Sequence, residues 1–133
     1  MKGMLLGTVL AAFLLAISGC ATTTEKALQE RGLSPLTQAE LEALHSRTRT
    51  IRGITHSGIT VTGTLTSDGV AKLDCPRVSH EGTWRIKEGK FCTQYPTVRN
   101  GVERCANHYK IEDNKYQKFN SNGSFNSTFS YTN

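Results

Sequence analysis

Histidines and acidic residues most often carry catalysis or bind metals, and here they follow no recognised spacing. His45, His56, His80 and His108 lie far apart, and none forms an H-E-x-x-H pair or a Cys/His metal pattern. The sequence has no G-x-S-x-G nucleophile elbow. A pair of glycosidase carboxylates cannot be argued without a pocket to hold them. We therefore predict a protein that is not an enzyme and that has no metal ion and no cofactor.

Cysteine spacing predicts one structural disulfide. If Tyr95 pairs with Val102 on consecutive strands, the same register sets Cys92 directly opposite Cys105. Directly opposed residues of an antiparallel pair can lie about 4.5 Å apart at Cα, which is compatible with bridging. The spacing is not C-x-x-C, which argues against a redox pair. Cys75 is expected to be a buried, inert thiol, with intermolecular pairing as the alternative.

The first twenty residues have the composition of an export signal. Lys2 gives a positive start, and residues 4–17 form an apolar run of 14 residues. A membrane-spanning helix takes about 20 such residues. The run ends in Ile17-Ser18-Gly19-Cys20, which resembles the bacterial lipobox. The resemblance implies that the signal peptide, residues 1–19, is removed and that Cys20 carries diacylglycerol and an acyl chain such as palmitate.

The residue that follows Cys20 indicates which bacterial membrane would hold the protein. Ala21 stands where the enterobacterial sorting pattern has Asp for inner-membrane retention, so the outer membrane is favoured over the inner. Residues 20–35 are predicted to be the lipidated N-terminus and a flexible tether that holds a domain at the periplasmic face. The expected partners are the membrane, through the lipid on Cys20, and an envelope protein or glycan. Nucleic acid is not expected despite the formal net charge of +5.

The elements that follow read as strands, because apolar and polar residues alternate from residue 47 onward. About eight short strands recur roughly every 10 to 12 residues with turns between them. No intervening segment is long enough for a helical crossover, so neighbouring strands should pair antiparallel. We predict a mainly β fold, an up-and-down meander that forms either a small barrel or a curled open sheet.

One short helix should precede the strands. Thr37 and Glu40 have the spacing of a capping box, and Leu41 and Leu44 lie on one face of the segment 36–44. Two leucines cannot stabilise a helix alone, so this face should cover one end of the sheet. The predicted β domain therefore spans residues 36–133.

Aromatic residues on the predicted strands are candidates for a ligand cavity or for the core. Residues 125, 127, 129 and 131 are all expected on one face of the last strand. The small domain makes a core role the simpler interpretation for the single tryptophan. The candidates are Trp84, Phe91, Tyr109, Phe125 and Phe129.

An ordered set of short motifs adds a family resemblance. Gly82-Thr83-Trp84, Phe91-Cys92 and Arg104-Cys105 follow the leading helix, and together they resemble a family of exported proteobacterial proteins, domain of unknown function nine-nine-five. The resemblance implies a compact β domain with one cross-strand disulfide and brings no catalytic residues. The layout also resembles lipocalin-like protease inhibitors of Gram-negative bacteria, more weakly.

The sequence leaves two functions open. The first is a non-enzymatic envelope lipoprotein whose domain is an interaction or structural module. The second is a lipocalin-like barrel that binds a small apolar ligand or inhibits a protease.

Overall fold

The computed structural model describes residues 23–133, so Cys20 and the predicted signal peptide lie outside the described residues. Two short helices precede the strands: α1 at Glu25–Glu30 and α2 at Gln38–Leu44. A 3-10 turn lies at Arg99–Gly101. The strands are β1 Arg49–Thr55, β2 Thr60–Leu65, β3 Val70–Asp74, β4 Ser79–Lys87, β5 Lys90–Gln94, β6 Arg104–Glu112, β7 Lys115–Asn120 and β8 Phe125–Tyr131.

The eight strands form a closed antiparallel barrel. Each strand pairs with the next in sequence, and β1 also pairs with β8, where Ile51 lies opposite Tyr131 and Thr55 opposite Ser127. The predicted mainly β meander is confirmed. Of the two predicted forms, the barrel is the one observed, and closure leaves no strand edge without a partner.

Two glycines allow β4 and β5 to meet closely. Glu88 and Gly89 both have positive φ, 53° and 72°, as expected for the two-residue turns whose twist matches a hairpin. On β4, a Cβ atom at Gly82 would overlap the backbone oxygen of Gln94. Glycine is therefore required where the two strands approach each other.

Helix α2 closes one end of the barrel, as predicted. Its capping box is present: Thr37 Oγ1 accepts a hydrogen bond from the Glu40 N–H, and Glu40 Oε1 accepts one from the Thr37 N–H, both at 3.2 Å. Leu41 is fully buried. The helix packs against an aromatic cluster from the ends of the last two strands: Tyr116, Phe129 and Tyr131.

Residues 25–35 differ from the flexible tether that the sequence predicted. Thr24 caps α1 by accepting a hydrogen bond from the Ala27 N–H, and Leu28 is fully buried against Tyr109 and Phe119. The Gln29 amide also donates to the Tyr109 hydroxyl at 3.2 Å. Leu28, with Leu33 packed beside it, docks the helix because the outer wall of the barrel presents aromatic rings at this place.

The predicted single face for residues 125–131 is wrong at its first residue. The pairing of β7 with β8 shifts register, so that Lys118 lies opposite Ser127 but Phe119 lies opposite Phe125. The extra residue, Asn126, forms a bulge that reverses the side-chain alternation. Phe125 therefore packs with Phe119 and Leu28 outside the barrel, whereas Phe129 is inside.

Candidate functional site

The barrel encloses a cavity of about 210 Å³. Its wall is made mainly of aliphatic and aromatic side chains that alternate into the interior from several strands. The largest apolar contributors are Ile51, Val61, Leu65, Leu73, Phe91 and Phe129. Thr93, Asn126 and Ser127 add polar groups, but most of the exposed wall is apolar, which is typical of sites for small ligands.

The closed end of the cavity is fixed by His45, which follows the last turn of α2. Its Nδ1 lies 2.8 Å from the Leu41 carbonyl oxygen, and its Nε2 lies 2.9 Å from the Tyr131 hydroxyl. A carbonyl only accepts, so Nδ1 carries the proton and Nε2 accepts from Tyr131. Burial lowers the pKa of His45, which favours this neutral ring. The helix and barrel are thus joined by a satisfied polar chain.

Trp84 belongs to this closed end and not to the cavity wall. Its ring stacks on Phe91 with centroids 5.5 Å apart, and it lies 5.4 Å from the ring of His45. The indole N–H donates to the Thr66 carbonyl at 2.8 Å. Of the two roles that the sequence allowed for Trp84, the structure supports the core role.

Two ionisable side chains lie in the middle of the barrel. His108 on β6 is directly opposite Lys118 on β7, and both line the cavity. The His108 ring lies between Phe91 and Phe129, with both centroid distances at 5.1 Å. Neither of its nitrogens has a hydrogen-bond partner.

The interior environment disfavours positive charge on both groups. Burial lowers the pKa of His108 well below its ordinary value, and Lys118 lowers it further. Burial also lowers the pKa of Lys118 to about 8, with a smaller contribution from Arg99. At neutral pH the site therefore holds a neutral imidazole beside an ammonium group.

The end opposite α2 is open and basic. A second cavity of about 230 Å³ adjoins the first and shares Lys118 and Tyr95 with it. Arg99 and Arg104 line this mouth, and Arg77 lines the neighbouring cleft. Within residues 23–133, no Asp or Glu lines the cavity, the mouth or the cleft.

The predicted aromatic candidates separate into three groups. Phe91 and Phe129 line the cavity. Trp84 packs at the closed end, as described above. Tyr109 and Phe125 belong to the hydrophobic cluster outside the wall beside α1, so of the two predicted roles they have the core role and not the cavity role. Tyr109 follows the inward-facing His108, and successive strand residues face opposite sides.

The predicted disulfide is confirmed. Cys92 and Cys105 are directly opposed on β5 and β6, with Cα atoms 3.9 Å apart. Glu103 lies near the two sulfur atoms, but those sulfurs are bonded to each other and Glu103 is paired with Arg85 at 2.7 Å. This group therefore does not offer a set of metal ligands. Cys75 is a free, half-buried thiol on the cavity wall.

The sequence interpretation named His45 and His108 only as histidines without a metal or catalytic spacing, placed Tyr131 on a strand face, and gave no role to Lys118. The turn at residues 113–114 sets Glu112 opposite Lys115, and that register alone would place His108 opposite Phe119. A register shift between Lys110 and Glu112 brings His108 opposite Lys118 instead. The sequence therefore contained no direct signal for this pair.

Comparison of the chain with known proteins found no related protein. The chain matches no family model, and neither the curated proteins nor the solved structures include a significant match. The resemblances given above therefore stay predictions. Within residues 23–133, none of the helices has the length and apolar character needed to cross a membrane.

Proposed function

We propose that this protein is a lipid-anchored, non-enzymatic barrel that binds a small, largely apolar ligand in its interior. The observation that carries the proposal is the apolar cavity of about 210 Å³, closed by α2 at one end and joined to a mouth at the other. The interior is not filled by side chains. This favours ligand binding over the purely structural envelope module that the sequence also allowed.

The size of the cavity supports a binding role on energetic grounds. Protein interiors are normally close-packed, and an unfilled core cavity costs about 24 cal/mol per Å³. A sealed, dry cavity of about 210 Å³ would cost on the order of 5 kcal/mol, which is an upper bound here because the cavity opens to water at the mouth. Since the net stability of a domain is about 5 to 15 kcal/mol, this is a large cost to retain without a ligand.

Binding can be tested with the full chain in lipid nanodiscs and a neutral, environment-sensitive naphthylamine dye. The dye should bind with enhanced fluorescence. Val61→Phe, on the cavity wall, should weaken dye binding at least tenfold. Its matched control is Thr62→Phe, one residue further along the same strand on the exposed outer face, and it should bind like the wild type. Absence of dye binding, or equal loss in both variants, would contradict the proposal.

The anchor is the second part of the proposal. It rests on Ile17-Ser18-Gly19-Cys20 and on the position of Ala21. Mass spectrometry of the mature protein should give a chain that begins at Cys20 and carries a diacylglyceryl group and an acyl chain. Cell fractionation should place it in the outer membrane, and Cys20→Ser should remove the lipid mass. An unmodified Cys20 in the mature protein would refute this part and leave the barrel proposal intact.

A further inference from the structure

We propose that the ligand of the barrel is an amphiphile with a single anionic head group, bound with its head against Lys118 and its apolar body toward Phe91 and Phe129. This inference rests on the proposed function, because it names the class of ligand for the same cavity. It is carried by three observations: an interior cation without a counterion, a buried imidazole without a partner, and a basic entrance.

Lys118 is a cation inside an apolar wall. Its side chain lines both the cavity and the mouth, so it stands where the two meet. The ion pairs among residues 23–133 are Lys26 with Glu30, Arg85 with Glu103, and Lys110 with Asp113. Lys118 takes part in none of them. Lys118 is half-buried, and a charge on an apolar wall is normally paired or hydrogen-bonded, so the head group of an anionic ligand would suit this position.

His108 supplies a second, independent sign of a ligand. The residue is 4% exposed, and neither ring nitrogen has a hydrogen-bond partner. Buried polar side chains are otherwise nearly always satisfied. Because His108 is directly opposite Lys118 on the inner wall, one head group can accept hydrogen bonds from both the ammonium and the imidazole N–H.

The entrance selects for the same charge. Arg99 and Arg104 line the mouth above Lys118, and no described acidic side chain lines the path between them. A cleft lined by one sign of charge raises the local concentration of oppositely charged ligands. A cationic head would be repelled along this path, and a neutral head would leave Lys118 without a counterion.

The apolar part of the ligand has one direction open to it. Phe91 and Phe129 lie on either side of His108, and Phe91 in turn contacts the ring of His45 at the closed end. His45 is already satisfied by Leu41 and Tyr131, so it offers no free polar group to a second head. One polar end and one apolar end are therefore expected in the ligand.

Competition against the neutral dye tests this inference with ligands of equal chain length. Decanoate, decanol and decyltrimethylammonium differ in head-group charge. Decanoate should displace the dye from the wild-type protein at a concentration at least tenfold lower than decanol does. Decyltrimethylammonium should need the highest concentration. Lys118→Met should remove the preference for decanoate while it leaves dye and decanol binding in place. Lys115→Met removes the same charge from an exposed position on the same strand and should keep the preference.

The outcomes separate the two proposals. Equal displacement by decanol and decanoate, or a preference for decanoate that survives Lys118→Met, overturns the anionic-ligand inference while dye binding still supports a ligand-binding barrel. A protein that binds neither the dye nor any of the three ligands refutes the proposed function, and the inference with it.

Discussion

His108 and Lys118 are directly opposed across β6 and β7, and both side chains line the interior of the barrel. Each is a group that water would solvate well, and neither has an ionic partner among residues 23–133. Their burial lowers stability in the free protein and prepares a site for an anion. Five predictions concern this pair and the contacts around the barrel.

Removing the charge of Lys118 should stabilise the free protein. Burial lowers the pKa of Lys118 to about 8 from the ordinary value of 10.5. At pH 7 the folded state therefore carries an unfavourable charge, and Lys118→Met should raise the free energy of unfolding by up to about 3 kcal/mol, less for the part of the side chain that water reaches. Denaturant titration measures the change, and Lys115→Met should have little effect.

The lowered pKa of Lys118 also predicts how the free energy of unfolding depends on pH. Between about pH 8 and 10.5 the unfolded chain holds more protons at this site than the folded chain, so wild-type stability should rise with pH through that window. The titratable groups that share the cavity wall with Lys118 are His45, Cys75, Tyr95, His108 and Tyr131, and Arg99 and Arg104 lie at the mouth. Lys118→Met should lack the rise. A rise of the same size in the variant would assign it to another group.

Acid should destabilise the protein through His108. Burial holds the pKa of His108 well below its ordinary value of 6.5. Below that value the unfolded chain gains a proton that the folded chain excludes, so stability should fall as pH drops from about 6.5. His108→Phe should make the fall shallower. The acid dependence of stability that remains in His108→Phe should come partly from His45, because burial also lowers the pKa of His45.

The matched control for His108 is His56, an exposed residue at the end of β1. His56→Phe should leave the acid slope of unfolding unchanged, as measured by denaturant titrations at several pH values. If His108→Phe keeps the full wild-type slope while it folds normally, the acid sensitivity does not arise from His108.

Loss of the disulfide should cost a large share of stability. Cys92 and Cys105 are 13 residues apart in sequence. Closing a loop of this length contributes about 3 kcal/mol in the chain-entropy description. A reducing agent should therefore lower the denaturation midpoint of the wild type, and the double variant Cys92→Ala/Cys105→Ala should match the reduced protein. Cys75→Ala should remain fully sensitive to the reductant; an insensitive Cys75→Ala variant would contradict the assigned pairing.

Docking of α1 should depend on one side chain. Leu28 is fully buried against Tyr109 and Phe119, and a buried Leu→Ala change typically costs about 2 to 5 kcal/mol. Leu28→Ala should release the helix, with faster amide hydrogen exchange across Glu25–Glu30. Lys26→Ala changes an exposed residue of the same helix and should leave the exchange slow. Fast exchange in the wild type would contradict docking.

Local patterns were enough to predict several parts of the fold. Alternation of apolar and polar residues predicted the strands, and the capping box predicted α2, because both signals depend on neighbours within a few positions. The disulfide followed from one assumed register around the loop between β5 and β6, and the structure pairs Cys92 with Cys105 as predicted.

Other features depended on contacts that a local pattern does not contain. The bulge at Asn126 moved Phe125 to the outer wall, and α1 docked because Tyr109 and Phe119 form a surface there. The sequence favoured a core role for Trp84 without deciding it, because that role depends on the ring of His45, which α2 brings to the closed end.

By itself the sequence determined the strand meander, the capped helix, the disulfide partners and an N-terminus that resembles a lipobox. Each of these depends on residues that are close together in sequence or on the pairing register of two consecutive strands. Only the tertiary structure decided that the meander closes between β1 and β8 and which faces turn inward. In a closed barrel, successive residues of each strand face the interior and the solvent in turn. Closure therefore places His108 and Lys118 in an apolar interior. That placement gives two ordinary polar residues the properties of a candidate anion site.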